Sequence, residues 1–326
     1  MKAPEHLNIP AKPGSAATRW HLVILALFLF VSQSIQMAAA QSAGGSLVYL
    51  AGSENSALNR RMRSLLDDAL GSTTVIRSFQ PGQTSQDATT PVIALGPEAF
   101  TRVRQENRNV PILALLVDQT FIDGYAERSG GSVSGILYDP PLLRQALAGK
   151  VILPQATRVA MLARPDTVEL YEPLTEKLPD HGLEGKIFVV TSDDRLIPTL
   201  IRALNYGDFI LAAPDNNIYN PRTIKHILLT AYRRNRIVIG PSQPYVRAGS
   251  LASTYTPLTE IADLAADFIE QYRAGGQFPP PAYPDNFSIQ LNLQVARSLN
   301  IPLPDRQEIV RSVEQRLAGP RESADE

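Results

Sequence analysis

Short apolar runs alternate along the chain with segments in which apolar residues recur every three or four positions. The first pair is a strand-like run at residues 46–50, a polar turn at 51–55 and a helical segment that ends at Gly71. The recurring apolar residues of that segment are Leu58, Met62, Leu65, Leu66 and Ala69, which share one helix face. A strand followed by an amphipathic helix, repeated along the chain, predicts βαβ units and a parallel sheet covered on both faces.

The same alternation continues in two series. In the first series we predict a helix at 98–107 and further strands at 74–76, 92–95, 112–117 and 135–138. After an apolar helix face at 142–147, the second series has strands at 158–162, 186–190, 208–212, 236–239 and 251–255. A length of 326 residues suits two units that each bury a core. We therefore expect an α/β fold of two doubly wound lobes.

Two helices of the second series have recognisable ends. One has Asn220 as its N-cap, Pro221 at its first position and arginines 233 and 234 in its last turn. The other carries an apolar face over 261–272 and ends at the glycine pair 275–276.

A proline-rich stretch, FPPPAYP at 278–284, follows these helices. It could be a recognition site for a proline-binding domain, but such domains are not expected outside the cytoplasm, so a stiff crossover between lobes is the preferred interpretation. We expect a strand at 287–291 and a short helix at 294–299 after it. The expected division is 41–140 plus 285–318 for the first lobe, 141–284 for the second lobe, and a flexible tail at 319–326.

The first forty residues have the pattern of a signal peptide. Three basic residues, Lys2, Lys12 and Arg19, precede a ten-residue apolar run at 22–31, and three alanines end at Ala40. A membrane-spanning helix needs about 20 apolar residues, so cleavage after Ala40 is favoured over an uncleaved anchor. We expect the mature chain to be soluble and periplasmic.

Composition excludes several classes of function. The formal net charge is −1, and it becomes −3 without residues 1–40, which carry three basic residues and Glu5. A chain with this balance lacks the basic footprint of a nucleic-acid-binding protein. The sequence contains no cysteine, so it has neither a disulfide nor a lipid-modified cysteine.

Motifs for catalysis, metals and cofactors are also missing from the sequence. After residue 40 the only histidines are His181 and His226, which are not at metal-ligand spacing. Residues 240–244 (GPSQP) lack the second glycine of a nucleophile elbow, and neither a dinucleotide loop nor a P-loop is present. We expect no enzyme activity, no metal and no cofactor.

Polar and aromatic residues just after the predicted strands are the candidate ligand-binding residues, because ligands of open α/β sheets bind at the carboxyl ends of the strands. Each of them also has a simpler interpretation as a helix cap or a turn residue. As a group, two such sets can clamp a small molecule between the lobes. The candidates are Ser53, Gly96 and Asp118 in the first lobe and Asp215, Asn216, Tyr219, Ser242 and Tyr245 in the second.

From about residue 145 to residue 304 the sequence resembles a known family. The matching segments are LAGKVILPQATRVAML at 147–162, APDNNIY at 213–219, IGPSQPYVRAGSLAS at 239–253 and FSIQLNLQVARSL at 287–299. They are similar to the helix–turn–strand, the ligand-side loop, the glycine-containing loop and the late strand and helix of substrate-binding proteins from uncharacterised ABC transport systems. That family includes tryptophan- and tyrosine-binding components.

The resemblance implies a type I periplasmic binding-protein fold, in which two α/β lobes joined by a three-strand hinge close around a small molecule. It implies a monomer that delivers a polar or aromatic solute, with an amino acid as one candidate, to an ABC permease. Asp215 and Asn216 would then bind the polar end of the ligand, while Tyr219 and Tyr245 would pack against the rest. The alternative is a sensory or interaction module on the same scaffold, coupled to a sensor kinase or an envelope complex.

Overall fold

Five parallel strands make the first of two sheets in the computed structural model, which describes residues 46–82, 89–213 and 215–318. The sheet order is β2-β1-β3-β4-β5, and three helices, α1, α2 and α3, lie in the connections. Their bounds are β1 Ser46–Ala51, α1 Ser56–Leu70, β2 Thr74–Ser78, β3 Val92–Leu95, α2 Gly96–Glu106, β4 Ile112–Val117, α3 Gln119–Ala126 and β5 Val133–Leu137.

The second sheet contains six strands in the order β11-β10-β9-β8-β6-β7. All neighbours pair in parallel except β10 and β11, which are antiparallel. The elements up to β10 are α4 Leu142–Ile152, β6 Arg158–Ala163, α5 Glu172–Lys177, β7 Glu184–Val189, α6 Leu196–Tyr206, β8 Phe209–Leu211, α7 Ile224–Arg233, β9 Ile237–Ile239, α8 Gln243–Ala248 and β10 Ala252–Tyr255. The remaining elements are α9 Leu258–Gly275, β11 Ser288–Leu291, α10 Leu293–Ser298 and α11 Arg306–Leu317.

The two sheets repeat one topology. Strands β7-β6-β8-β9-β10 follow the same spatial order as β2-β1-β3-β4-β5, and β11 is an addition at the edge of the second sheet. Each sheet has a separate buried apolar cluster on each of its two faces. Both sheets are therefore covered on both sides, as the nearly continuous apolar strands predict.

The chain crosses between the sheets three times, and the C-terminal segments are distributed differently from expectation. Helix α9 packs on α1, and Ile261 and Ala265 share a buried cluster with Val48 of β1. Strand β11 instead pairs with β10, and Ile309 of α11 is buried in a cluster with Leu147 of α4. The expected boundaries are corrected accordingly: residues 258–275 belong with the first sheet and residues 288–317 with the second, because their apolar faces find their partners there.

The proline-rich stretch lies along the free edge of β5. Its backbone N–H groups at Phe278 and Ala282 donate to Gly131 O at 2.7 Å and Gly135 O at 3.1 Å, and Leu137 N donates back to Ala282 O at 2.9 Å. Prolines 279–281 have no N–H to satisfy, so they suit a sheet edge. The stretch thus covers the edge of the first sheet before the crossover itself, which follows Tyr283.

None of the described helices is long and apolar enough to span a membrane. The predicted signal segment at 1–40 and the predicted tail at 319–326 lie outside the described residues.

Candidate ligand-binding cleft

The three crossings place the carboxyl edges of the two sheets next to each other. The chain leaves the first sheet at the end of β5 and starts α4 after residues 138–141, and it leaves the second sheet at the end of β10 and starts α9 after residues 256–257. Four extended residues span at most about 14 Å. The third crossing runs from Tyr283 to the start of β11. The loops that follow the strands of both sheets therefore border one cleft.

Two first-lobe candidates are engaged in local hydrogen bonds. The backbone N–H and the hydroxyl of Ser53 both donate to Asn59 Oδ1 at 2.9 Å, and Asn59 Nδ2 donates back to Ser53 O at 2.7 Å. Asp118 Oδ1 accepts from Phe121 N at 2.8 Å and from the hydroxyl of Thr120 at 2.7 Å. Ser53 thus closes the turn before α1, while Asp118 is the N-cap of α3, with its side chain exposed. Direct contact of either residue with a ligand stays a prediction.

Gly96 borders open space at the start of α2. Its φ of +85° is in the left-handed region, and a Cβ at this position would meet no atom within 4 Å. The absence of a side chain leaves the backbone at the carboxyl end of β3 accessible to a small molecule. Contact of Gly96 with a ligand stays a prediction.

Two further residues lie at the same edge and were not among the candidates from the sequence. Leu116 has a φ of +60° at an irregularity between Leu115 and Val117, an uncommon conformation for a non-glycine residue. Tyr138 directly follows β5, and 45% of its surface is exposed. An exposed aromatic at the end of a buried strand was detectable in the sequence, whereas the conformation of Leu116 has no sequence signal.

Asp215 links two loops of the second lobe. Only 4% of this residue is exposed, and its Oδ2 accepts from the hydroxyl of Thr167, which follows β6, at 2.8 Å. Its Oδ1 accepts from Asn217 N at 2.8 Å, within the loop after β8. Both carboxylate oxygens thus have protein partners, and the residue fixes the shape of the cleft wall.

Arg164 joins three loops on the same wall. Its guanidinium donates to the carboxylate of Asp193 after β7, and it also approaches Val190 O at 3.4 Å and Asn217 O at 3.5 Å. The side chain is only 14% exposed, whereas that of Asp193 is 92% exposed. The carboxylate end of this ion pair is therefore at the surface. The contacts of Arg164 hold together the loops after β6, β7 and β8.

The two candidate tyrosines differ in accessibility. Tyr219 is 1% exposed and packs in the core between the sheet and α6 and α7. Burial, with Tyr171 and Asp215 nearby, raises its pKa well above the usual range, although the backbone of Leu162 partly offsets the rise. Among the described residues no partner meets hydrogen-bond geometry at its hydroxyl. Contact of the Tyr219 ring with a ligand stays a prediction that requires this loop to move.

Tyr245 is partly buried, and its hydroxyl donates to Tyr219 O. Burial raises the pKa of Tyr245. This bond connects helix α8, which follows β9, to the loop after β8, so Tyr245 supports the wall from one side. Its ring remains partly accessible.

Asn216 and Ser242 are the second-lobe candidates with free side chains. Asn216 is exposed, Ser242 is half-buried at the start of α8, and neither side chain has a hydrogen-bond partner within the described residues. Their polar groups are available to a ligand. The structure thus brings Asp215, Asn216, Tyr219 and Tyr245 together on one wall.

A hydrogen bond joins two of the crossing segments. The hydroxyl of Tyr283 donates to Asp139 Oδ2 at 3.1 Å, while Asp139 Oδ1 is buried and has no hydrogen-bond partner in the described part of the chain. Burial raises the pKa of Asp139, the bond from Tyr283 opposes the rise, and Asp118 adds to it. The pKa of Tyr283 is raised by burial and by the Asp139 carboxylate. The crossing segments therefore contain a titratable pair.

The described residues contain no cluster of three or more side chains suited to a metal ion. The available groups of the cleft are hydroxyls, an amide, backbone N–H groups and tyrosine rings. This chemistry suits recognition of a small polar or aromatic molecule.

Comparison with solved structures identifies the fold. The ligand-free, open structure of CD0873, described as a substrate-binding protein with adhesive properties from Clostridium difficile, matches with a TM-score of 0.63 and 15% identity over 81% of this chain and 97% of that chain. The chain has the type I periplasmic binding-protein fold. The expectation of two α/β lobes with this architecture is confirmed.

Two further structures are similar at a TM-score of 0.53. One is described as an ABC domain in complex with L-Trp from Streptococcus pneumonia, with 16% identity over 82% of this chain and 98% of that chain. The other is a conserved domain protein from Vibrio cholerae, with 17% identity and the same coverages. No protein-family model and no curated protein sequence matches the chain. At identities this low, the structural similarity establishes the fold alone. None of these three structures is described as an enzyme.

Proposed function

We propose that this protein is the solute-binding component of an ABC importer and that its lobes close on a small polar or aromatic molecule. The observation that carries the proposal is the arrangement of the cleft: three short crossings join equivalent carboxyl edges, and the open backbone of Gly96 in the first lobe and the side chains of Asn216 and Ser242 in the second border the space between them. The signal-like segment at 1–40 supports a location outside the cytoplasmic membrane. The solved structures described as substrate-binding proteins or ABC components support the transport role.

We assign the direct ligand contacts to the accessible members of the site. Gly96 offers backbone, and Asn216 and Ser242 offer free polar side chains. Asp215, Tyr219 and Tyr245 hold the second-lobe wall in the shape that presents these groups, with the partly accessible ring of Tyr245 beside the ligand. Ser53 and Asp118 shape the loops of the first-lobe wall. An amino acid is the first ligand class to test, since its polar and apolar ends suit a wall of this composition.

A thermal-shift screen of residues 41–326 tests the proposal with amino acids, small peptides, nucleosides and sugars. A ligand present at about 100 times its Kd stabilises the protein by about 2.7 kcal/mol, which raises the melting temperature by roughly 5–10 °C for lobes of this size. A saturable shift with one class names the solute. A folded, ligand-free protein that responds to no member of the panel contradicts solute capture and favours the sensory or interaction role.

A pair of glycine variants tests whether the ligand binds in the cleft. Gly96→Gln puts a side chain into the open space at the end of β3, while Gly276→Gln makes the same change at the C-cap of α9, away from the cleft. Both glycines have left-handed φ values, +85° and +71°, and both positions are free of atoms within 4 Å of a Cβ. The two variants therefore carry similar backbone strain of about 1–2 kcal/mol. We expect Gly96→Gln to lose the ligand-induced shift and Gly276→Gln to keep it; equal responses would exclude the cleft as the site.

A further inference from the structure

Three arginines line one groove at the opposite edge of the first lobe. Arg104 lies in the last turn of α2, Arg108 in the loop before β4, and Arg128 in the loop between α3 and β5. Two adjoining concavities of about 470 and 360 Å³ share these three side chains and the ring of Tyr125. We call this surface the arginine groove. It lies where β4 and β5 begin, so it is separated from the cleft by the length of the sheet.

The arginines of the groove have no carboxylate partner among the described residues. No Asp or Glu lines either concavity. None of the three arginines forms an ion pair with any described residue, in contrast to Arg63 and Arg164 elsewhere in the chain. Three cations held on one concave surface repel one another unless an anion joins them.

Local contacts hold two of the arginines in place. The guanidinium of Arg104 donates to Arg108 O, which ties the end of α2 to the next loop. Arg128 folds back on α3, where its Nη2 lies 3.3 Å from the position that a Cβ on Gly124 would occupy. A side chain at 124 would therefore crowd the guanidinium, and glycine gives it room.

Guanidinium groups that three segments of the chain bring to one concavity suit a tetrahedral anion with several acceptor oxygens. Each arginine can donate two parallel hydrogen bonds to such a group, whereas one carboxylate is satisfied by one or two arginines. Tyr125, 37% exposed, and Asn109 border the same space and add a ring face and an amide. We propose that the arginine groove is a binding site for a phosphate group, distinct from the cleft between the lobes.

The experiment uses residues 41–326 in buffer without phosphate or sulfate at low ionic strength. Two triple variants are compared with the wild type: Arg104→Gln/Arg108→Gln/Arg128→Gln, and the control Arg306→Gln/Arg311→Gln/Arg316→Gln. The control removes three exposed arginines from α11 and changes the net charge equally. Circular dichroism and thermal melting confirm that both variants are folded.

Two binding measurements distinguish the sources of the phosphate. Calorimetric titration with inorganic phosphate and glycerol 3-phosphate tests soluble anions, and cosedimentation with phosphatidylglycerol vesicles against phosphatidylcholine vesicles tests a lipid headgroup. We expect saturable binding in at least one arm and a loss of affinity in the triple groove variant of about a thousandfold, or about tenfold for each of the three arginines, with the α11 control unchanged. Soluble anions binding alone identify a free phosphate compound, and vesicles binding alone identify a lipid headgroup.

Two outcomes overturn the proposal. In the first, neither arm shows saturable binding to the wild type. In the second, the groove and α11 variants lose equal affinity, which would show that net charge alone attracts the anion. A further variant, Arg104→Lys/Arg108→Lys/Arg128→Lys, keeps the charge without the planar fork, and we expect it to bind more weakly than the wild type; full affinity would contradict recognition by the guanidinium groups.

Discussion

Asp215 provides the sharpest test of how the second-lobe wall is held. Replacing it with alanine removes the acceptors of two 2.8 Å hydrogen bonds, from Thr167 Oγ1 and from Asn217 N. Hydrogen bonds to charged groups contribute about 1.5–3 kcal/mol each. The Asn217 backbone is in an exposed residue and finds water, and the Thr167 hydroxyl can turn to Arg164 O at 3.3 Å. We therefore take the lower end of the range, and expect Asp215→Ala to cost about 3 kcal/mol.

Conservative changes at the same contact separate charge from shape. Asp215→Asn keeps the volume and one acceptor, and its amide can donate to Thr167 Oγ1 once that hydroxyl turns to Arg164 O, so we expect a cost of about 1 kcal/mol. Thr167→Val removes the donor to Asp215 and the acceptor of Arg164 N, which lies 3.0 Å away, and should cost about 2 kcal/mol. Combining Thr167→Val with Asp215→Ala should cost less than the sum of the single changes, because the two share one bond.

Thermal melting of the ligand-free protein measures these differences. At about 2–4 °C per kcal/mol, Asp215→Ala should melt roughly 6–12 °C below the wild type. Hydrogen exchange should also quicken in the loop after β6, where Thr167 lies. Asp166→Ala is the matched control, since Asp166 is an exposed residue of the same loop, and it should stay within about 0.5 kcal/mol of the wild type. If Asp215→Ala melts like Asp166→Ala and only ligand affinity falls, Asp215 is a ligand contact and the structural assignment fails.

Two further predictions concern the hinge and the core. Tyr283→Phe removes the donor to Asp139 and should destabilise the protein by about 1–3 kcal/mol at pH 7. Burial already raises the pKa of Asp139, and loss of the Tyr283 hydroxyl raises it further. A carboxyl with a raised folded pKa destabilises the folded state as pH rises from the unfolded pKa of about 4 through the folded pKa, because the buried group then ionises. The difference in melting temperature between wild type and Tyr283→Phe should therefore be smaller at pH 3 than at pH 7, and a difference that does not depend on pH would refute the assignment. Gly149→Ala places a Cβ 2.7 Å from the buried ring of Phe209 and should lower the free energy of unfolding by about 1–3 kcal/mol. The control Gly275→Ala meets no described atom within 4 Å and should leave that free energy unchanged or raise it by up to about 1 kcal/mol. Equal melting temperatures for the two variants would contradict the tight packing of α4 on β8.

Apolar periodicity predicted the sheets well because strands buried on both faces leave a strong signal. Strands β3 and β4 have the bounds that the sequence predicts. The helix ends were predicted less accurately than the strands. Helix α7 starts at Ile224 and not at Pro221, because Asn220 Oδ1 accepts hydrogen bonds from Arg222 N and Thr223 N and so closes a separate turn before the helix. Helix α11 was not predicted, since its low apolar content leaves Ile309 and Val313 as its only fully buried residues.

Long-range packing accounts for the errors in lobe assignment. The apolar face of α9 has the same period whichever sheet it covers, and the four residues of β11 do not show which strand they will pair with. The repeat of sheet order was invisible for a similar reason, because topology is repeated here without repeated residues. At the candidate site, sequence position selected the loops that follow the strands. It did not distinguish the buried Tyr219 from the exposed Asn216, three residues apart, because that difference depends on how one loop folds back on the core.

The two walls of the cleft differ in how they are stabilised. In the second lobe, side chains join one cleft loop to another through the Thr167–Asp215, Arg164–Asp193 and Tyr245–Tyr219 contacts. In the first lobe, the bonds of Ser53 and Asp118 stay within their own loop and helix, and Arg102 of α2 donates to Gly52 O in the loop after β1. A wall already ordered by its own contacts loses less conformational entropy when a ligand binds. For the ligand binding proposed above, we expect the second lobe to act as a preformed surface, and the affinity to depend on how much conformational entropy the first-lobe loops lose when the ligand binds.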